Sequence, residues 1–323
     1  MRETLASDAV IDQAYQWLCQ QRRHWSANAD VWELRSHWQT DKHHIQLALK
    51  QGNYCFAPMS RVTKANGEVI HIWSARDALV LKALTITLAP HLPVAKSCTH
   101  VKGHGGAKAA VRAVRDQLPN HAFVMRTDVK GYYENIDQHL LLAQLAEHVK
   151  DRSVMNLLCQ AMRRTVTWGG LYWERKQGIS RGCPLSPLLG AFFLHELDTA
   201  MDKSGLFYVR FMDDILVLAP SRWKLKHAVR RVNEHMACLD LSKHPDKTFI
   251  GRIEKGFDFL GYRFSHEGIS VATATVHNFI AKAARLYEQE QRCPNGPPLL
   301  GRYVRRWIGW AYGGLGYNEN PAT

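Results

Sequence analysis

The sequence predicts an α+β protein, in which an antiparallel sheet is accompanied by helices. Residues 206–211 and 215–219 are short apolar runs rich in β-branched and aromatic side chains, a composition typical of strands. The tight turn between them joins these strands into a hairpin. The first 50 residues and those after Ser270 have a helical pattern instead. With 46% hydrophobic residues, the chain of 323 has enough apolar material for a substantial core.

The N-terminal 50 residues are polar and predict a helical extension. They carry four tryptophans among Arg and His side chains: Trp17, Trp25, Trp32 and Trp38. We interpret these rings as packing the extension onto the rest of the protein, and stacking on RNA bases is the alternative. Residues 61–69 then predict two strands around a turn marked by Asn66 and Gly67, and residues 78–88 predict a helix.

Three carboxylates predict a metal site. Asp128 follows a predicted strand at 122–127, and Asp213 and Asp214 lie at the tip of the hairpin. Two anions beside an apolar hairpin are costly unless a cation neutralises them. If the strand neighbours the hairpin, the three carboxylates converge on one point, which suits Mg²⁺ with its preference for oxygen ligands. The alternative is that the acids are simply solvated at an exposed turn.

Two glycine-containing loops are candidates for contact with a ligand. Residues 177–186 hold two glycines and a proline, so the backbone can approach a ligand closely. The helix that follows is predicted to begin with Ser186 as N-cap and Pro187 in its first turn, and its apolar face is predicted to run from Leu189 to Ala200. A Gly-rich basic turn at 102–108 precedes another helix and suits phosphate contacts.

The C-terminal part predicts a hairpin followed by two helices. Residues 257–264 and 269–271 have the strand pattern, and helices follow at 276–292 and 299–311. Residues 294–298, rich in Pro and Gly, separate the helices. The second helix combines basic side chains with tryptophans.

Charge points to a polyanionic partner. The chain has 42 Lys and Arg against 29 Asp and Glu, a net charge of +13, as expected of a nucleic-acid binder. It has no apolar run long enough to span a bilayer, and its start does not resemble a signal peptide. Seven cysteines without a Cys-x-x-Cys pair predict free thiols. We therefore expect a cytoplasmic protein without a membrane partner.

Five motifs occur in an order that resembles a known family. They are Asp128 with Tyr132 and Tyr133, Gln177-Gly178 to Gly182-Cys183-Pro184-Leu185-Ser186-Pro187, Phe211-Met212-Asp213-Asp214, Lys247-Thr248, and the segment from Phe257 to Tyr262. Together they resemble the palm of a bacterial reverse transcriptase related to group II intron enzymes. The resemblance covers nearly the whole chain. It implies a right-hand polymerase with an N-terminal helical extension (1–50), fingers (51–120), a palm on an antiparallel sheet (121–270, with 150–180 returning to the fingers) and a small helical thumb (271–323).

The resemblance also implies roles for single residues. Asp128 and Asp213 match the aspartates that hold two Mg²⁺ ions, with Mn²⁺ as the alternative, and Asp214 matches a more peripheral third acid. Tyr133 matches an aromatic gate that selects dNTPs by colliding with a 2′-hydroxyl, although a core aromatic is the alternative. Lys247 matches a lysine near the triphosphate that donates a proton to pyrophosphate.

Other implied contacts lie in the loop and the fingers. Gly178, Arg181 and Gly182 match the loop that contacts nucleotide and template, but Arg181 stands where the family commonly has Gln. Lys64 and Arg76 are the candidates for holding the triphosphate, in fingers that are shortened relative to the family.

The function implied is an RNA-directed DNA polymerase, a nucleotidyltransferase that extends a 3′-hydroxyl with dNTPs. Its partners would be an RNA template, which we expect to be a structured non-coding RNA, and a DNA product or primer. We expect no endonuclease or DNA-binding module after Thr323 and therefore a compact stand-alone enzyme, and we favour antiphage defence over intron mobility. The alternatives are an RNA-directed RNA polymerase and a catalytically silent RNA-binding scaffold or splicing cofactor. The sequence leaves the oligomeric state open.

Overall fold

The computed structural model describes residues 1–64, 67–292 and 298–316. Its helices are α1 (Arg2–Leu5), α2 (Asp8–Gln21), α3 (Asp30–Ser36), α4 (Trp38–Gln51), α5 (Ala75–Leu88), α6 (Gly106–Gln117), α7 (Tyr132–Asn135), α8 (Gln138–His148), α9 (Arg152–Met162), α10 (Ser186–Phe193), α11 (His195–Asp202), α12 (Arg222–Cys238), α13 (Thr273–Arg292) and α14 (Leu299–Leu315). Its strands are β1 (Met59–Thr63), β2 (Val69–Ile72), β3 (Phe123–Asp128), β4 (Thr165–Trp168), β5 (Leu171–Glu174), β6 (Phe207–Phe211), β7 (Asp214–Ala219), β8 (Phe249–Arg252), β9 (Phe257–Phe259), β10 (Tyr262–Ser265) and β11 (Gly268–Val271). The predicted combination of helices with sheets is confirmed.

The chain divides into two compact units, each built from three segments. The first unit comprises Met1–Val94, Lys130–His195 and Met236–Leu241. The second comprises Ala95–Val129, Glu196–His235 and the described residues from Ser242 onward. The predicted division into extension, fingers, palm and thumb stays a prediction.

A four-stranded antiparallel sheet lies at the centre of the second unit, in the order β6-β7-β3-β8. The three strands predicted at 122–127, 206–211 and 215–219 are β3, β6 and β7, with ends that differ by one residue. Helix α6 packs on this unit's core through Ala110, Val111 and Val114, all fully buried, beside Leu216 and Leu218 of β7. Burial on this scale fixes the register, because a slip of one residue would turn every apolar side chain to the other face.

The C-terminal part of the second unit follows the predicted order. The single strand predicted at 257–264 is instead divided by a turn at Leu260 and Gly261 into β9 and β10, which form an antiparallel sheet with β11, and α13 and α14 follow. Phe279 of α13 stacks on Trp307 of α14 with ring centroids 4.1 Å apart. Helix α14 ends at Leu315, four residues beyond the predicted end at 311. The predicted break at 294–298 lies outside the described residues except for Pro298.

The first unit contains the N-terminal helices and a four-stranded sheet of its own. Helices α1 to α4 confirm that the first 50 residues are helical, and Tyr15 stacks on Trp38 with ring centroids 3.7 Å apart. The sheet has the order β2-β1-β4-β5, with β1 and β2 as the predicted strand pair. Asn66, which predicted the turn between them, lies outside the described residues.

Two details of the predicted helices are wrong. Ser186 is the first residue of α10 rather than its N-cap, because its hydroxyl donates a hydrogen bond to the Ser180 carbonyl (2.6 Å). The helix also ends at Phe193, and a separate helix, α11, begins at His195. Six cysteines are free thiols as predicted, and Cys293 lies outside the described residues. Within the described ranges, no helix is both long and apolar enough to cross a membrane.

Candidate active site

The hairpin that carries the acidic pair turns in two residues. Phe211 pairs with Asp214 across the end of the sheet, so Met212 and Asp213 form the turn. Met212 has a φ of +56°, in the left-handed region that costs a residue with a side chain about 1–2 kcal/mol. Two-residue hairpins favour positive φ because it matches the twist of the strands, but they usually place Gly or Asn there. Other groups must therefore hold Met212 in place.

Two side chains of the second unit hold the backbone of Met212. Arg210 donates a hydrogen bond from Nη1 to the Met212 carbonyl (2.9 Å), and the Met212 N–H donates to Nδ1 of His100 (3.0 Å). Arg210 is fully buried and forms an ion pair with Asp198, which also accepts a hydrogen bond from Tyr208 (2.7 Å). The turn is thus anchored to a buried polar network, which favours one conformation of the acidic pair.

Strand pairing brings Asp128 beside this turn. Asp128 is the cross-strand partner of Asp214, and residues opposite each other in an antiparallel pair lie on the same face of the sheet. The Val129 N–H donates to the Asp213 carbonyl (3.1 Å), which extends the pairing to the tip. On the other side, the His244 N–H donates to the Asp128 carbonyl (2.8 Å). The expectation that the strand ending in Asp128 neighbours the hairpin is confirmed.

Two cations lie against the carboxylates. Lys247, in the 3₁₀ turn Pro245–Lys247, places Nζ 2.7 Å from Oδ2 of Asp128, and this hydrogen bond raises the pKa of Lys247. Arg126 lies two residues before Asp128, on the same face of β3, with Nη2 3.7 Å from Oδ1 of Asp214. Arg126 also donates to the Lys247 carbonyl (3.0 Å), which links the two cations.

Asp214 is a carboxylate whose burial is only partly compensated. Burial raises its pKa to about 6; Asp213 and Asp128 add to the rise, while Arg126 and Lys247 oppose it. Its Oδ1 atom is buried and has no hydrogen-bond partner among the described residues. A buried carboxylate oxygen without a donor is costly, so this site would accept a further cation.

The donor set fits a hard divalent ion, but the side chains do not form a ready-made cage. In the described ranges, no three His, Cys, Asp or Glu side chains are grouped as a metal site. Lys247 instead occupies one oxygen of Asp128. The assignment of Asp128, Asp213 and Asp214 as metal ligands therefore stays a prediction, supported by their oxygen donors and by Oδ1 of Asp214, which accepts no hydrogen bond from the described residues.

The glycine loop of the first unit is shaped by its own backbone. Gly178 has a φ of +73°, and a Cβ atom there would lie 2.5 Å from the carbonyl oxygen of Tyr133. Its neighbour Ile179 donates an N–H to that same carbonyl (2.7 Å). Gly178 is thus required for the loop to run along Tyr133. Gly182 also has positive φ (+76°), but open space surrounds its Cβ position.

The two adjacent tyrosines differ in burial. Tyr132 is buried, and its hydroxyl donates to the Gly190 carbonyl (2.6 Å), so it is the core residue of the pair. Tyr133 is half-buried and stacks on Tyr132 with ring centroids 5.6 Å apart. A Cβ at Gly190 would lie 2.8 Å from the Tyr133 ring, so the small residue makes room for it.

The remaining candidates in the first unit are engaged in surface ion pairs. Arg181 is exposed, with Nη2 3.5 Å from Oε1 of Glu134. Lys64 pairs with Glu68 at 2.9 Å, and Arg76 pairs with Asp41 of α4. Exposed pairs such as those of Arg181 and Lys64 contribute little to stability and open easily, whereas Asp41 is mostly buried. None of the three pairs decides whether these side chains bind phosphate.

Sequence reasoning missed Arg126, which lies beside Asp214, and the residues that hold the turn. The sequence did indicate Arg126, because it lies two residues before Asp128 on the same predicted strand and must therefore lie on the same face of the sheet. The sequence also indicated Arg210, because it is a charged residue within an otherwise apolar predicted strand. Nothing in the sequence indicated Asp198 and His100, because their contacts with this strand depend on how distant segments of the second unit pack.

Comparisons with known proteins agree with the resemblance that the motifs indicated. A family model described as reverse transcriptase (RNA-dependent DNA polymerase) matches residues 78–264, more than half of the chain. Protein YkfC of Escherichia coli (strain K12) is 24% identical over 264 residues, which cover 67% of this chain and 68% of YkfC. The group II intron-encoded protein LtrA of Lactococcus lactis subsp. cremoris is 23% identical over 203 residues. That match covers 61% of this chain but 34% of LtrA, so the chain spans about a third of the intron protein.

The matched region includes the carboxylate hairpin, the strand that ends in Asp128, and the glycine loop. Its extent settles the family. The chain belongs to the reverse transcriptases, RNA-directed DNA polymerases that are nucleotidyltransferases, and within them to the bacterial lineage of group II intron-like enzymes.

Proposed function

We propose that this chain extends a primer 3′-hydroxyl with dNTPs on an RNA template, by two-metal catalysis at Asp128, Asp213 and Asp214. The observation that carries the proposal is the cross-strand pairing of Asp128 with Asp214 beside a turn held by Arg210. Three carboxylates at one end of the sheet, two of them on or beside a turn that is held in place, are suited to binding divalent metal ions. Rigidity matters because the gain from positioning reacting groups is lost with misplacements of about 1 Å.

Asp128 and Asp213 would hold the ions, with Asp214 as a further oxygen donor. When bound, two Mg²⁺ ions would lower the pKa of the attacking hydroxyl and stabilise the charge on the leaving pyrophosphate. Mn²⁺ offers the same oxygen-preferring chemistry. Lys247 donates a hydrogen bond to Oδ2 of Asp128, and with Asp128 engaged in holding an ion its ammonium group would be available to donate a proton to a pyrophosphate oxygen.

Tyr133 would select the sugar. Its ring rests on Tyr132 and fills the space left by Gly190, so it has little freedom to move aside for a 2′-hydroxyl. Overpacking a constrained site typically costs about 1–3 kcal/mol, which is a preference of about 5- to 150-fold for dNTPs. Gly178, Arg181 and Gly182 would contact nucleotide and template, with Lys64 and Arg76 at the triphosphate once their surface ion pairs open.

The template would be a structured non-coding RNA copied by an enzyme that acts alone, in antiphage defence. The net charge of +13 supports strong binding to a polyanion, and a folded RNA offers both duplex and single-stranded parts. The product or primer would be DNA. Location in the cytoplasm would follow from such a role.

Primer extension on an RNA template tests the proposal. We expect incorporation of dNTPs in the presence of Mg²⁺ and a strong preference over rNTPs. Tyr133→Ala should admit rNTPs, whereas Tyr133→Phe, which keeps the ring and removes only the hydroxyl, should retain the preference. Incorporation of rNTPs by the unaltered chain would indicate an RNA-directed RNA polymerase. RNA binding without any incorporation would indicate a silent scaffold.

A further inference from the structure

Helix α12 presents a strongly basic side to solvent. Its 17 residues contain five Lys and Arg side chains and one carboxylate, that of Glu234. Leu225, Ala228 and Val232 are buried and hold the helix against the second unit. The five Lys and Arg side chains lie outside this buried face and are exposed.

A cavity of about 320 Å³ lies along this basic side. Helix α12 contributes Trp223, Lys224, His227 and Arg231 to its wall, and Lys203 closes it from the turn before β6. We call these five residues the α12 surface. Trp223, His227 and Arg231 are spaced four residues apart, so they stand one above another on the helix. No Asp or Glu is among the residues that line the cavity.

Trp223 is a large apolar ring left in solvent. It is 68% exposed, and its only ring neighbour among the described residues is His227, with centroids 4.2 Å apart and planes at 60°. The other tryptophans of this unit behave differently, since Trp307 stacks on Phe279 and Trp310 stacks on Tyr262. An exposed indole flanked by cations is the arrangement that binds nucleobases by stacking.

The cations of the α12 surface lack carboxylate partners. Among the described residues, neither Lys203 nor Lys224 has an ion pair, and Arg231 donates only to the Ala200 carbonyl (3.1 Å). Arg230 on the same helix provides a contrast, because it pairs with Glu234 at 3.2 Å. Like charges gathered without a counter-charge repel one another, so an anion bound among them would relieve that repulsion.

This surface lies away from the carboxylate hairpin. Strand β7 begins at Asp214 and ends at Ala219, about 17 Å further along at the usual rise per residue, and α12 follows that far end. A ligand here would therefore not occupy the proposed catalytic site.

We propose that the α12 surface is a second binding site for single-stranded RNA, beyond the proposed polymerase function. An unpaired base stacks on Trp223, and the flanking phosphates contact Lys203, Lys224 and Arg231. An acidic peptide would use the cations but has no need of a flat exposed ring. RNA is favoured over DNA because RNA is the template of the family and is present before any DNA product is made.

Photo-crosslinking tests this site directly. A single-stranded oligoribonucleotide of about eight nucleotides, a length within the usual site size, would carry 4-thiouridine and be bound to the full chain. We expect a crosslink in the peptide that contains Trp223, with a yield that saturates as RNA concentration rises. Trp223→Ala should weaken the apparent affinity at that peptide about tenfold, the loss of one base stack, and Trp223→Phe should keep most of it.

Charge variants separate the phosphate contacts. Lys203→Ser with Lys224→Ser should reduce the dependence of log affinity on log salt by about 0.7 for each lost contact. Arg230→Ala is the matched control, because it removes a cation of the same helix that does not line the cavity. Because Trp223 is mostly exposed, thermal unfolding of Trp223→Ala should match that of the unaltered chain.

Three results would overturn the proposal. The first is crosslinking confined to other peptides. The second is equal affinity of Trp223→Ala and the unaltered chain, and the third is stronger binding of the same sequence as DNA. The readout does not depend on dNTP incorporation, so a failed polymerase assay would leave it intact.

Discussion

Replacing Asp198 by Asn should destabilise the second unit by about 3–5 kcal/mol, because it leaves the Arg210 guanidinium buried without its counter-charge. Both side chains of this pair have no solvent exposure. Asp198 accepts hydrogen bonds at Oδ1 from Nε of Arg210 (2.8 Å) and from Tyr208 (2.7 Å). An Asn side chain keeps one acceptor oxygen but turns an NH₂ group towards the guanidinium.

Urea unfolding followed by circular dichroism measures this loss, provided that the slope with urea stays unchanged. Glu234→Gln is the matched control, because it removes the partner of Arg230 from an ion pair whose side chains are 75% and 63% exposed. That change should cost less than about 1 kcal/mol. Asp198→Leu combined with Arg210→Met should recover part of the loss, since it removes both buried charges.

Asp198→Asn should also affect the carboxylates of the candidate active site. Arg210 also donates to the carbonyl of Met212, so loss of its ion pair loosens the turn that carries Asp213. We expect Asp198→Asn to lower kcat for dNTP incorporation at temperatures where the protein is still folded. A loss of stability below about 1 kcal/mol, similar to that of Glu234→Gln, would refute the assignment of a buried anchor.

Two further predictions concern backbone and pH. Gly178→Ala should lower the free energy of unfolding by about 3 kcal/mol, and Gly182→Ala by about 1 kcal/mol. Both changes strain a backbone of positive φ, but only the first adds a contact of 2.5 Å. Equal losses would contradict the close approach of Gly178 to Tyr133. Burial and the nearby Arg112 lower the pKa of Lys108 from 10.5 to about 8. Between these values the unfolded chain binds more protons there than the folded one, so stability relative to Lys108→Gln should rise from pH 7 to pH 10. A difference that stays constant or falls would contradict the shift.

Local sequence patterns were sufficient to predict the carboxylate hairpin. Alternation and composition located β3, β6 and β7 within a residue, and the positions of Asp128 and Asp213 at strand ends followed directly. The pairing of β3 with β7 was a conditional expectation, and the register now places Asp128 opposite Asp214. The strands and their acidic ends could be predicted because they depend on the composition and alternation of short stretches of sequence.

The supporting contacts could not be predicted in the same way. Arg210 and Asp198 are 12 residues apart on a strand and a helix, and their pairing depends on how α11 packs beside β6. The hydroxyl of Ser186 satisfies the Ser180 carbonyl instead of capping α10, because the loop folds back on the helix start. Arg76 is likewise held by Asp41, a partner 35 residues away, which no local pattern identifies.

The central claim is that the carboxylates of the hairpin perform nucleotidyl transfer. Incorporation of dNTPs by Asp213→Asn with Asp214→Asn, measured beside the unaltered chain in Mg²⁺, tests it most directly. Asp116→Asn, which changes a carboxylate paired with Arg115 on α6, serves as the control. We predict that the double variant keeps its circular dichroism spectrum and loses incorporation, while the control retains it. Incorporation by a folded double variant at a rate near that of the unaltered chain would contradict the claim.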